Sequence, residues 1–177
     1  MITDIAETSD GRLFGVSFDT LFLIDPASAA LSKVGPLNAG GENPWVNGLT
    51  VAPDGTLYAS GGGELYRVDP NSAAVERVGP FGPNISSSGD IVWGPLGAIF
   101  MSDFEFQTQT DTLVSLNPLT AEATPVGAIG FSSVYGLSFN GLFLFGLTAT
   151  GEILQLDPSS GKATVLHDFD LSWWGAS

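Results

Sequence analysis

The chain has one histidine and no cysteine, so the side chains able to do chemistry are mostly its 19 carboxylates. His167 stands beside Asp168 and Asp170. An imidazole oriented by a carboxylate can serve as general base towards a serine. The Gly-x-Ser-x-Gly elbow that commonly presents such a serine is missing, because Gly15-Val16-Ser17-Phe18-Asp19 fails at its last position. A single imidazole excludes metal sites built from several histidines within one chain. The lack of cysteine excludes disulfides, thiolate zinc and thiol nucleophiles. Gly61-Gly62-Gly63 has neither the lysine nor the following helix of a phosphate cradle. Paired carboxylates suit glycoside hydrolysis, but 19 acids single out no pair by themselves. No catalytic residue is assigned, and a non-catalytic role is the preferred reading.

The elements that must position these groups come from an internal repeat. Four segments share one ending: Leu21-Phe22-Leu23-Ile24-Asp25-Pro26, Leu65-Tyr66-Arg67-Val68-Asp69-Pro70, Leu113-Val114-Ser115-Leu116-Asn117-Pro118 and Ile153-Leu154-Gln155-Leu156-Asp157-Pro158. Asp25 precedes Asp69, Asn117 and Asp157 at successive spacings of 44, 48 and 40 residues. A small-residue turn follows each copy, then a short strand that ends in Val34-Gly35, Val78-Gly79 and Val126-Gly127. The fourth copy departs, reading Val165-Leu166-His167.

Each unit resolves into four short strands. In the second they are expected at Val46–Ala52, Thr56–Ser60, Glu64–Asp69 and Ala74–Val78. Pro53-Asp54-Gly55 and Asp69-Pro70-Asn71-Ser72 separate them with tight-turn chemistry: Pro presets φ, Gly accepts positive φ, and Asp bonds nearby amides. The repeated Asp25, Asp69, Asn117 and Asp157 are therefore read as turn caps rather than metal ligands. A four-stranded unit recurring every 40–45 residues predicts a β-propeller.

The unit Leu-Tyr-x-Val-Asp-Pro-x-Ser followed by Val-Gly resembles the repeats of bacterial β-propeller proteins, similar to the YVTN, NHL and quinoprotein-like types. That resemblance covers almost the whole chain and implies the architecture. It implies little about function, since such propellers bind many ligands and catalyse unrelated reactions.

The expected fold is all-β: four antiparallel four-stranded blades, at about 1–46, 47–89, 90–135 and 136–171, in one propeller domain. The tail 172–177 resembles the start of a further innermost strand, although Thr3-Asp4-Ile5-Ala6 already supplies that strand to the first blade. Three arrangements follow: a four-bladed ring closed by the tail, two chains joined as an eight-bladed ring, or part of a longer array. The protein is thus expected as a monomer or as a homodimer forming a larger ring.

Composition narrows the partners. Only 14% of residues are charged, against about 25% in ordinary domains. The net charge of −14, with five Lys and Arg, argues against nucleic acid, whose binding is driven by basic groups. No apolar run approaches the ~18 residues of a membrane span, so no membrane insertion is expected. Met1–Asp10 carries three acids and no basic residue, unlike a secretory leader. The compartment stays open, with secretion or surface display after processing among the readings.

Two sets of candidate residues emerge. One face of the propeller carries short repetitive turns, and the other carries connections that vary between units, the usual address of binding. These variable connections hold Trp45, Phe81, Phe104, Phe106, Phe131, Tyr135 and Trp173 among acids. Aromatics mixed with acids suit a protein or glycan partner. Asp103–Asp111 alternates Phe-Glu-Phe-Gln-Thr-Gln-Thr and is expected to project as a long hairpin from the third blade. The second set comes from the innermost-strand column, where Asp4, Gly48, Asp90 and Gly136 align. Asp4 and Asp90 would come from opposite blades near a central channel, where two carboxylates and backbone carbonyls make an oxygen-rich setting that Ca²⁺ accepts; no other cofactor is expected. The preferred function is a non-catalytic binding module. A calcium-dependent propeller hydrolase or lactonase and a structural assembly protein are the alternatives.

Overall fold

The computed structural model describes residues 1–171. The expected tail strand, with Trp173, lies outside them. Four antiparallel sheets, each a simple up-and-down meander, follow one another along the chain. Blade 1 comprises β1 (Asp4–Glu7), β2 (Leu13–Val16), β3 (Thr20–Ile24) and β4 (Leu31–Pro36). Blade 2 comprises β5 (Val46–Val51), β6 (Leu57–Gly61), β7 (Glu64–Val68) and β8 (Val75–Pro80). Blade 3 has β9 (Ile91–Trp93), β10 (Ile99–Glu105), β11 (Thr110–Leu116) and β12 (Ala123–Ala128). Blade 4 has β13 (Val134–Phe139), β14 (Leu144–Thr148), β15 (Glu152–Leu156) and β16 (Ala163–Asp168). The result is the expected all-β, four-blade propeller. Its one helical feature among the described residues is a single 3₁₀ turn at Pro95–Gly97. No helix among the described residues is long and apolar enough to cross a membrane.

The turns form as their chemistry dictates. The carboxylate of Asp69 accepts the amides of Asn71 and Ser72 at 2.8 and 2.9 Å, and Asp25, Asn117 and Asp157 make the equivalent bond to Ala27, Leu119 and Ser159. The neutral Asn117 caps as well as its acidic counterparts, which fits a geometric role and not a charge-based one.

The core lies between blades. One cluster joins blades 1 and 2 through Phe14, Leu21, Leu49 and Leu57. A second joins blades 2 and 3 through Leu65, Phe81, Ile91 and Met101. A third joins blades 3 and 4 through Phe100, Leu113, Leu137 and Leu154. Each inner blade is therefore buried on both faces, and β6 has no partly exposed residue at all. Among the described residues no such cluster joins blade 4 back to blade 1.

The Val-Gly ending has a packing explanation. The valine of each pair, Val34, Val78 and Val126, packs into the cluster shared with the next blade. The glycine lies directly against the following blade's Asp-Pro turn. A Cβ on Gly79 would sit 2.8 Å from the Thr120 carbonyl oxygen, and one on Gly127 would sit 2.1 Å from that of Ser160. Only a residue without a side chain lets the turn approach so closely. In blade 4 the corresponding position, opposite Ile153, is His167.

Candidate functional site

The inner-strand column brings its carboxylates together. Asp4, on β1, lies at 5% exposure and Asp90, directly before β9, at 2%. One oxygen of Asp4 accepts the amide of Ile5 at 2.8 Å, and the other accepts the amide of Leu49 in blade 2. Asp90 accepts the amide of Leu137 in blade 4 at 2.9 Å. Each aspartate thus ties its own blade to the innermost strand of the next. The two carboxyls also hydrogen-bond to each other across Gly48. A side chain at Gly48 would press on the Ser60 hydroxyl and on the backbone either side of Asp90.

Two carboxyls so close inside the protein cannot both be ionised cheaply. Burial pushes Asp4 up to about 7, even though its hydrogen bonds from Asp90, Leu49 and Ile5 act in the opposite sense. Asp90 is raised as well, through burial first and the neighbouring Asp4 charge second. One proton held between the two carboxyls relieves that cost. The structure brings these two candidate residues together. Among the described residues, no group of three or more His, Asp and Glu side chains is placed to hold a metal. The pair's oxygens are occupied by backbone amides and by one another.

The aromatic candidates divide. Phe81 is 1% exposed and packs in the core between blades 2 and 3. Phe131 packs partly against the cluster of blades 3 and 4, and Tyr135 and Phe104 are half-buried. Trp45 and Phe106 stand out, at 64% and 80% exposure. Trp45 adopts a left-handed φ of 50°, donates its amide to the Asn43 side chain at 2.9 Å, and rests on Phe18 with ring centroids 6.1 Å apart. Phe106 heads the expected long hairpin of β10 and β11, whose seven-residue strands are the longest among the described elements. Its ring meets Phe104 edge to face at 5.1 Å, and the Gln109 amide closes the turn onto its carbonyl at 2.7 Å.

Phe18 was not singled out from the sequence. It falls in the β2–β3 connection of blade 1, the counterpart of the Phe106 hairpin, and that alignment was the available signal. Two acids of the same connections turn inward. Asp103 accepts the Ser86 amide at 2.9 Å. Asp111 accepts that of Val134 at 2.6 Å, and burial raises it to about 6. Both act as structural acceptors, whereas Glu42 and Asp170 remain exposed. Grooves also lie elsewhere, on the repetitive-turn face. One, of about 470 Å³, is lined by Asp54, Thr56, Arg67, Asp69 and Glu76.

No protein-family model matches the chain, and no curated protein does. Solved structures do. A Bacteroides caccae protein of unknown function superposes with a TM-score of 0.64 at 14% identity, over 96% of this chain and 60% of its own. Virginiamycin B lyase from Staphylococcus aureus gives 0.62 at 14% identity, over 92% of this chain and 54% of its own. The PQQ-bound aldose sugar dehydrogenase of Streptomyces coelicolor gives 0.62 at 14%, over 94% and 67%. The chain therefore spans just over half to two thirds of the length of these proteins. At such identity the likeness shows the β-propeller fold alone.

Proposed function

We propose that the chain is a non-catalytic interaction module whose variable rim binds a protein or glycan through Trp45 and Phe106. The observation that carries this reading is the pair of large aromatics held in fixed conformations while exposed to water. Rigid aromatic anchors lose little entropy on binding and are enriched in interface hot spots. The acidic rim and net charge of −14 favour basic or neutral ligands. The carboxylates of the inner strands are engaged in holding blades together, which leaves them no evident catalytic task. Binding of fluorescently labelled oligolysine and of a neutral oligosaccharide panel to wild type, Trp45→Ala and Phe106→Ala tests the reading. Retention on wild type with at least tenfold loss in both variants is expected. No binding by wild type, or equal binding by all three, would count against it.

A further inference from the structure

We propose that the outer face of blade 4 and the outer face of blade 1 are two halves of one interface between copies of this chain, so that two copies close head to tail into an eight-bladed ring.

The argument rests on continuity with the interfaces inside the chain. At each internal junction one blade presents a forward face and the next presents a rear face. On the forward face of blade 2, Tyr58, Leu65 and Val78 pack against blade 3. The same columns in blade 4 hold Phe145, Ile153 and Leu166. The first two are half-buried and Leu166 is 41% exposed. On the rear faces, Leu57, Ile99 and Leu144 are fully buried, as are Val68, Leu116 and Leu156. Blade 1 carries Leu13 and Ile24 in those columns, and both are only half-buried. These two faces are apolar where a terminal repeat that simply meets water has a polar outer face.

The inner-strand column keeps phase across the proposed seam. Around the chain it reads Asp4, Gly48, Asp90, Gly136, and a side chain at Gly48 would press on the backbone either side of Asp90. Following Gly136 with the β1 strand of a second copy continues the alternation without a break. Two arcs related by a twofold axis make two identical seams and leave no face uncovered, and eight blades lie within the range of closed propellers. His167 is the one departure. It replaces the glycine of the internal junctions, so the seam is wider at its outer rim than those within the chain.

Size-exclusion chromatography with light scattering should give twice the 18.4 kDa chain mass at micromolar concentration. Ile153→Asp on one face and Ile24→Asp on the other should each give monomers with unchanged strand circular dichroism. Their equimolar mixture should regain a dimer through its one intact seam. Leu166→Asp, at an already exposed position, replaces Ile153→Asp if that variant fails to fold. A wild-type monomer, an open-ended series of larger species, or a dimer that neither charged variant disturbs would overturn the proposal.

Discussion

Asp4 and Asp90 share a hydrogen bond beside Gly48, although the two aspartates belong to blades that are not neighbours. Blade 2 lies between them and contributes an absence of side chain and the amide of Leu49. The alternation of Asp and Gly down the inner column is thus one polar network spanning four blades. Its energetics depend on one retained proton.

That proton fixes a pH dependence. Both carboxyls titrate above their ordinary value of 3.8 in the folded protein, Asp4 at about 7 and Asp90 well above 3.8. Between pH 3.8 and about 7 the folded chain therefore binds more protons than the unfolded one, and stability falls as pH rises through that window. Asp111, raised to about 6, acts in the same direction. The turn aspartates Asp25, Asp69 and Asp157 are lowered by amide or hydroxyl hydrogen bonds, so their contribution is lost only as pH falls below 3.8. Thermal melts should show maximum stability near about pH 4, with Tm falling towards pH 8 by at least the ~2–4 °C that 1 kcal/mol produces in a chain of this size. Asp90→Asn keeps an acceptor for Leu137 and a donor for Asp4. It should remove the share of that slope that Asp90 supplies, leaving the Asp4 and Asp111 parts. An unchanged slope would show that the pair is not its source.

A second expectation concerns the glycine of the Val-Gly ending. In Gly127→Ala the new methyl meets the Ser160 carbonyl, which belongs to backbone and cannot swing aside. Blades 3 and 4 must separate at that edge, at a cost of about 1–3 kcal/mol or more. Gly130→Ala, where a Cβ meets nothing within 4 Å but φ is +84°, is a control for backbone strain alone. Urea unfolding of the two variants separates packing from strain. Equal midpoints would refute the close-approach account.

How much of this could be read in the residues? The four units, their strands and their turns were legible because Asp-Pro turns and alternating apolar residues are local signals. Asp4 and Asp90 were brought together by column alignment, since a repeat converts sequence position into spatial position. What alignment does not convey is depth. Phe81 and Phe106 both follow strands and look alike as loop aromatics, yet one fills the junction of blades 2 and 3 while the other projects on a hairpin. Leu37 and Ile129 occupy the column of Phe81 and are equally buried, so an apolar column, and not the aromatic character of Phe81, was the informative feature. Burial of Asp103 and Asp111 was hidden for the same reason: their partners are backbone amides, which carry no sequence signal.

The contrast between those two phenylalanines gives a third prediction. Phe81→Ala empties a packed site and should cost about 3–5 kcal/mol. Phe106→Ala removes a side chain surrounded mostly by water and should change stability by no more than about 0.5 kcal/mol. Denaturant midpoints measured in one buffer decide this. Comparable losses in both variants would mean that the hairpin of β10 and β11 is itself a packing element.

Gly48→Ala tests the column network most directly, because it is expected to alter two observables at once. A Cβ there would lie 2.5 Å from the Ser60 hydroxyl and 3.0 Å from both the Gly89 carbonyl and the Ile91 amide. The hydroxyl can rotate away, but the two backbone groups flank Asp90 and can move only by taking that aspartate with them. The loss should again be about 1–3 kcal/mol. Unlike Gly127→Ala, this substitution also pushes Asp90 away from Asp4, so the carboxyls gain solvent and their titration drops back towards 3.8. The slope of stability between pH 5 and 8 should therefore shrink along with the midpoint. A cycle combining Gly48→Ala with Asp90→Asn then measures the coupling. If the two changes act through one proton, the double variant loses no more pH dependence than Asp90→Asn alone. Additive flattening would place the pH response elsewhere in the chain.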